Sequence, residues 1–269
     1  MLKIILCLAA LVFFAIARKA KPACDQNGQS IDQRFIDTSD PNKTSINVAS
    51  YNIQTGKSLA GKRNINASAD VVAKVDIAGI QEVYATSWLN RFGLGECQTH
   101  SLAKRGGFGF LFCATRRRWF REHRGNALLS KLSVLNWHIK MLPDQSGKSY
   151  RNMTIAEIQW QGQSFHFINT HLHTRKGREA QLARVLDELA KYSRAILLGD
   201  FNSNALTPLL AQALNDPLIS DAISLAGLDI SNADRIDWIL SKGFKVNGGE
   251  MLSKGVSDHP YYQVNLSYI

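Results

Sequence analysis

The sequence predicts a layered α/β domain, with helices covering both outer sides of stacked sheets. Three observations predict it. Short apolar runs that read as buried strands alternate along the chain with segments whose apolar residues recur every three or four positions. Six polar clusters are scattered over the chain, most of them where an apolar run ends, so strand ends carry the side chains able to do chemistry. The chain has 269 residues, only 6 prolines, no internal repeat and no linker rich in Pro, Gly or Ser, which favours one large domain over two.

The N-terminus stands apart. Lys3 is followed by an uninterrupted apolar run from Ile4 to Ala17, ending in the small-x-small pattern Ala15-Ile16-Ala17, which reads as a secretory signal peptide over residues 1–17. The run is shorter than the roughly 20 apolar residues a bilayer span needs, so an uncleaved anchor is the weaker reading. No later segment reads as a span, and a secreted or periplasmic location is the expectation. Residues 18–44 are polar and irregular and read as an extended segment leading into a domain over residues 45–269.

Within that domain, Ile46 to Tyr51 reads as a strand delivering Asn52, and NINASADVVAKV (residues 64–75) as a helix with Val71, Val72 and Val75 on one side. Asp76 to Ile80 is a short buried strand delivering Gln81 and Glu82. Leu128-Leu129, Met153 to Trp160 and Ser164 to Asn169 suggest sheet, the last two joined by a Gln161-Gly162 turn. Arg178 to Tyr192 has the most regular helical spacing, through Ala180, Ala183, Leu186 and Ala190 and through Leu182, Val185 and Leu189. Ala195 to Leu198 is a strand delivering Gly199-Asp200-Phe201-Asn202, a helix follows from Pro208 to Asn215, and Ile236 to Leu240 and Tyr261 to Leu266 are the last strands.

Composition adds two constraints. The net charge of +10 falls to +9 when residues 1–17 are removed, because Lys3 is their only charged residue. A basic exported protein suits anionic partners such as nucleic acid, lipid headgroups or envelope polymers. After cleavage three cysteines remain, and in an oxidising compartment Cys97 and Cys113 are the natural pair, with two free thiols as the alternative. No CxxC occurs, so a zinc or thiol-redox site has no support.

The polar clusters are Asn52 in SYNIQ, Glu82 in GIQEV, His171 in NTHLH, Asp200 and Asn202 in GDFN, Asp237 in RIDWIL, and Asp258-His259 in SDHP. Each has a plain alternative. Glu82 suits a solvated strand end, Asp200 and Asn202 an Asx-turn, and His171 a structural histidine. Together they supply the carboxylates, amides and imidazoles that hold a hard divalent cation and activate water against a phosphate.

In this order the six motifs resemble the endonuclease/exonuclease/phosphatase family, over residues 46–269. The resemblance implies a four-layered α/β/β/α sandwich of two stacked mixed sheets, with the site at one edge. It implies Glu82 as principal Mg²⁺ ligand, with Mn²⁺ as a substitute, helped by Asn52 and Asp258. His259 would be the general base, oriented by Asp237 or alternatively by Asp234. Asp200 and Asn202 would position the nucleophile and the phosphoryl oxygens, and His171 would stabilise the developing charge or assist the leaving group. Arg124, in RGNALLS, stands where deoxyribonuclease-like members have a phosphate-contacting arginine. Tyr84 stands where those enzymes carry a groove-reading arginine, which leaves the mode of substrate binding open.

The stretch from Lys104 to Arg124 interleaves seven basic residues with Phe108, Phe110, Trp119 and Phe120. It suits a nucleic-acid track, an anionic bilayer surface, or a hairpin with core aromatics and solvated arginines. The expected activity is therefore a secreted, metal-dependent, monomeric nuclease. A lipid-headgroup phosphodiesterase or phosphatase, of sphingomyelinase or phosphoinositide-phosphatase type, is the alternative within the family. A binding module without activity is the alternative outside it.

Overall fold

A computed structural model describes residues 2–18, 20–37, 43–85, 97–118, 122–145, 147 and 150–269. The chain runs α1 (Leu2–Arg18), β1 (Lys21–Pro22), β2 (Gln26–Gln29), β3 (Ile46–Asn52), α2 (Ile65–Val72), β4 (Ile77–Ala85), α3 (Gln98–Gly106), β5 (Gly109–Arg117), β6 (His123–Ser130) and β7 (Ser133–Met141). It continues with β8 (Asn152–Trp160), β9 (Gln163–His171), α4 (Arg178–Ala190), β10 (Ala195–Asp200), α5 (Pro208–Leu214), β11 (Ser220–Asp221), α6 (Ala222–Leu225), β12 (Asp237–Lys242), β13 (Phe244–Leu252) and β14 (Tyr261–Tyr268). Among the described residues no helix is long and apolar enough to cross a membrane.

The strands form two seven-stranded sheets, ordered β1-β5-β6-β4-β3-β14-β13 and β11-β12-β10-β9-β8-β7-β2. Both are mixed, because β3 and β4 run parallel in the first and β9 and β10 in the second, while their other pairings are antiparallel. The strands read as continuous apolar runs because both faces are covered. In β10, Ile196 and Leu198 point into the core between the sheets, while Ala195 and Leu197 point into the layer under α4. In β4, Ile77 faces the inter-sheet core and Ala78 the layer under α2 and α3. Three apolar layers and the two helical covers make the α/β/β/α sandwich.

Most predicted elements are present within a residue or two. Asn64 caps α2 by accepting from Ala67 N–H at 3.2 Å. Gln161 and Gly162 both have positive φ, 52° and 70°, as a primed hairpin turn requires.

Two expectations are corrected. Residues 18–44 are not irregular throughout, because β1 pairs with β5 and β2 with β7, closing one edge of each sheet; residues 38–42 lie outside the described ones. Cys97 and Cys113 are not joined. Cys113 is buried in β5, where desolvation pushes its thiol up to about 12, and Cys97 lies just before α3.

Buried amides tie the sheets together beneath one edge. Gln81 Nε2 donates to Asn169 Oδ1 at 2.8 Å, and Asn169 Nδ2 donates to the Ala127 carbonyl at 3.0 Å. Asn126 Nδ2 donates to Asn152 Oδ1 at 3.1 Å, and Asn152 Nδ2 donates to the Ala114 carbonyl at 2.8 Å. Gly199 makes the β10 exit possible: its φ is 138°, and a Cβ there would fall 1.9 Å from the Thr170 carbonyl oxygen. Gly199→Ala is therefore expected to destabilise the fold by roughly 1–3 kcal/mol, read as a lowered midpoint in urea unfolding.

Candidate active site

Strand register gathers the polar clusters into one row. Asp200 at the end of β10 lies opposite His171 of β9 on one side and Asp237 of β12 on the other. In the facing sheet Asn52 ends β3 opposite Gln81, the residue before Glu82. A bulge between Ile80 and Val83 of β4, with Glu82 at φ 57°, takes the Glu82 carboxylate out of the regular pleat. This left-handed backbone costs of order 1–3 kcal/mol.

Asp200 is buried at the centre. Its Oδ2 accepts from Asn52 Nδ2 across the sheets at 3.0 Å, and its Oδ1 accepts from Asn202 N–H at 3.0 Å. His171 Nε2 lies 3.3 Å and His259 Nε2 3.7 Å from Oδ2. His259 Nδ1 is hydrogen-bonded to Asp237 Oδ2 at 2.8 Å, which leaves Nε2 free. Asp234 is exposed on the preceding loop, so Asp237 is the histidine's partner. Asn202 Nδ2 donates to the Leu172 carbonyl at 3.0 Å, and its own carbonyl accepts from Arg178. Asp258 Oδ2 accepts from Gln54 Nε2 at 2.7 Å, and Ser257 Oγ donates to the Asn52 carbonyl at 2.7 Å, joining SDHP to SYNIQ.

Burial and neighbouring charge set the proton states. Burial opposes charge on His259, but the Asp237 hydrogen bond and the charges of Asp237, Asp200 and Asp258 outweigh it and raise the imidazole to about 9. Burial drives His171 well below the ordinary histidine value, helped by Arg151, His259 and His173. His171 is thus neutral at neutral pH and able to donate one N–H, not a full positive charge. Burial and then Asp237 push Asp200 up to about 7, against His259, the Asn202 N–H and the Asn52 amide.

Beside this row opens a cleft of about 200 Å³, lined by Glu82 and His171 together with Arg116, Arg124, Tyr150 and Arg151. Arg124 is among the residues that line the cleft. Tyr84 is turned inward, with the guanidinium groups of Arg124 and Arg63 at 4.8 and 5.2 Å from its ring centre, so it is a platform for arginines and not an exposed contact. Phe108 is fully buried and Phe110 stacks on Phe35 at 6.1 Å, so the described aromatics of the arginine-rich stretch are core; Trp119, Phe120 and Arg121 lie outside the described residues. Sequence reasoning missed Gln54, Arg116 and Arg151. None ends an apolar run, and only Arg116 lay in a stretch already marked as basic.

A hydrogen-bonded carboxylate–imidazole pair facing a buried acid, a neutral histidine and an arginine-lined cleft suits a hydrolase of phosphate esters. The chain belongs to the Endonuclease/Exonuclease/phosphatase family, whose profile matches residues 49–259. Members hydrolyse phosphoester bonds and generally depend on a divalent metal. No curated protein matches the sequence. Among solved structures the fold is shared with an endonuclease/exonuclease/phosphatase from Beutenbergia cavernae DSM 12333, at TM-score 0.69 and 18% identity, covering 84% of this chain and 72% of that one. The human Nocturnin catalytic domain with bound sulfate matches at TM-score 0.63 and 16% identity, covering 91% and 98%. D. rerio TDP2 complexed with a single-strand DNA product matches at TM-score 0.61 and 16% identity, covering 84% and 100%.

The oxygen donors fit a hard cation. Among the described residues none donates a hydrogen bond to the Glu82 carboxylate, and Asn52 Oδ1 accepts only the Gln54 N–H, at 3.1 Å. Asp200, Asp237 and His259 also bring ligand atoms within 4.8 Å of one another, a second group of side chains that could hold a cation.

A folded value above that of free histidine means that the Asp237–His259 pair stabilises the fold fully below about pH 6.5. The contribution is lost as pH rises through about 9. In metal-free protein, the His259 ring is expected to titrate near 9 by NMR, and Asp237→Asn is expected to lower that value.

Proposed function

We propose that the protein is an exported, divalent-metal-dependent phosphodiesterase that cleaves nucleic acid by attack of water on the phosphodiester. The observation that carries the reading is the Asp237–His259 pair, its Nε2 3.7 Å from Asp200, together with the cleft that His171 and Glu82 line beside several arginines. Asp237 fixes the ring, and once the imidazolium has given up its proton, a loss that a cation bound nearby and rising pH both favour, Nε2 takes the proton of the attacking water. Asp200, held by Asn52 and Asn202, orients that water, and Asn202 presents its amide edge to the phosphate. His171 donates its N–H to a phosphoryl oxygen or to the leaving oxygen. Glu82, with Asn52 and Asp258, would hold a divalent cation, which supplies charge stabilisation at the phosphoryl oxygens.

Basic charge and Arg124 favour nucleic acid over a lipid headgroup, and the DNA product named for the TDP2 structure agrees with that choice. Export rests on the apolar run from Ile4 to Ala17, and N-terminal sequencing of protein from the producing cells is expected to start after Ala17.

Purified protein with Mg²⁺ is expected to nick plasmid DNA, and a chelator to abolish nicking. His259→Ala is expected to slow it by about 10²–10⁴-fold, the usual worth of a general base. Headgroup release from sphingomyelin or a phosphoinositide, with the plasmid left intact, would overturn the nuclease reading.

A further inference from the structure

One buried amide outside the polar clusters ties the Glu82 bulge to the turn that follows β3. β3 pairs with β4 as far as Asn52 and Gln81, and Ile53 N–H still donates to the Gln81 carbonyl at 3.2 Å. Beyond that point β4 runs on to Ala85 paired with β6 alone. On the side that β3 has left, Tyr84 N–H donates to Gln98 Oε1 at 2.9 Å, and Gln98 Nε2 donates to the Thr55 carbonyl at 2.8 Å. Gln98 is the first residue of α3 and is 3% exposed, so a single side chain replaces a missing rung between two backbones. Both backbones are strained: φ is 46° at Gln54, 58° at Thr55 and 57° at Glu82. Left-handed backbone at residues other than glycine persists only where the surroundings over-determine it. Tyr84 needs an acceptor here and Thr55 a donor, and an amide supplies both without charge. A glutamate would set a second acceptor against the Thr55 carbonyl, and a methionine would leave two buried backbone groups unpaired.

Both joined segments carry oxygen donors of the site. Glu82 stands two residues before Tyr84 on β4. On the other segment Gln54 N–H donates to Asn52 Oδ1 at 3.1 Å, and Gln54 Nε2 donates to Asp258 Oδ2 at 2.7 Å. The turn that Gln98 grips therefore orients Asn52 and Asp258 as well. We propose that Gln98 is a positioning residue for the cation site: it fixes the Glu82 bulge against the turn at Gln54 and Thr55, and so sets the spacing of the Glu82, Asn52 and Asp258 oxygens without touching the cation. This role rests on the reading that those three residues hold the cation. Gln181, near the start of α4, supplies the contrast. It is 1% exposed and also bridges two backbones, accepting from His173 N–H at 2.9 Å and donating to the Pro143 carbonyl at 2.8 Å, but it bonds to neither segment that Gln98 joins.

The affinity of the full chain for Mn²⁺, read from the paramagnetic resonance of the free ion, tests this in the wild type and in Glu82→Gln, Gln98→Met and Gln181→Met. Gln98→Met is expected to weaken binding about 10–100-fold, the usual effect of removing a group that orients metal ligands, and Glu82→Gln at least as much. Gln181→Met is expected to lower the urea midpoint as Gln98→Met does, with Mn²⁺ affinity unchanged. Unchanged affinity in Glu82→Gln overturns the reading of Glu82 as a ligand, and the role of Gln98 with it. Affinity weakened in Glu82→Gln but kept in Gln98→Met, or weakened equally in both glutamine variants, overturns the positioning role alone. Gln98→Glu, of the same length, is expected to weaken binding as much and replaces the methionine variant if that does not fold. The wild-type protein gives a further measurement. Coupling between the amide bridge and the cation is reciprocal, so Mg²⁺ is expected to slow hydrogen exchange at the Tyr84 amide. An unchanged exchange rate overturns the positioning role whether or not a variant folds.

Discussion

The buried carboxylate of Asp200 is the constraint on which the rest of the structure depends. Moving a carboxylate out of water costs several kcal/mol unless partners converge on it. Those partners come from separate parts of the chain: the Asn52 amide from the opposite sheet, the Asn202 N–H from the strand's own exit, and imidazoles at 3.3 and 3.7 Å. They meet only if β9, β10 and β12 keep their register and the two sheets stack with β3 over β10. The apolar faces of those strands, and the buried amides from Gln81 to Asn169 and from Asn126 to Asn152, hold that stacking. A slip of one residue would turn Asp200 toward the opposite face and separate it from its partners.

The same constraint explains the chemistry. Asp200 and Asp237 are two buried acids on neighbouring strands, and burial raises both. Asp237 offsets part of that by bonding His259, and the same bond fixes the orientation of the imidazole. At the other end of the row, among the described residues, no carboxylate is in ion-pair range of Arg116, Arg124 or Arg151, and Asp200 and Glu82 act on Arg151 only from a distance. The site is therefore polar in a directional sense, with proton acceptors at one end and guanidinium groups at the other.

Much of this was legible in the sequence because it rests on periodicity. Strands buried on both faces, such as β10, show as apolar runs, and the residue where each run ends is the one delivered to the edge. Asn52, Glu82, His171, Asp200 and Asp237 were visible for that reason. Short edge strands were not, since β1 and β2 form only by pairing with strands that the sequence does not place beside them. Nor was β13, whose bulge at Asn247, between Val246 and Gly248, breaks the alternation. Arg151 was hidden because it precedes β8 in a polar segment, and only the neighbouring His171 strand gives it meaning. Tyr84, standing where deoxyribonuclease-like members carry an arginine, left the mode of substrate binding open. The arginines lying over its ring make it their platform.

The central claim is that Asp237 holds His259 as a base toward water, so that water displaces the leaving alcohol from phosphorus in one step and neither histidine becomes covalently attached. The stereochemistry of hydrolysis of a chiral phosphorothioate diester in isotopically labelled water tests it most directly. Inversion at phosphorus is the predicted result, as a single in-line attack requires. Retention would mean two displacements through a phosphoryl-enzyme and would contradict the account.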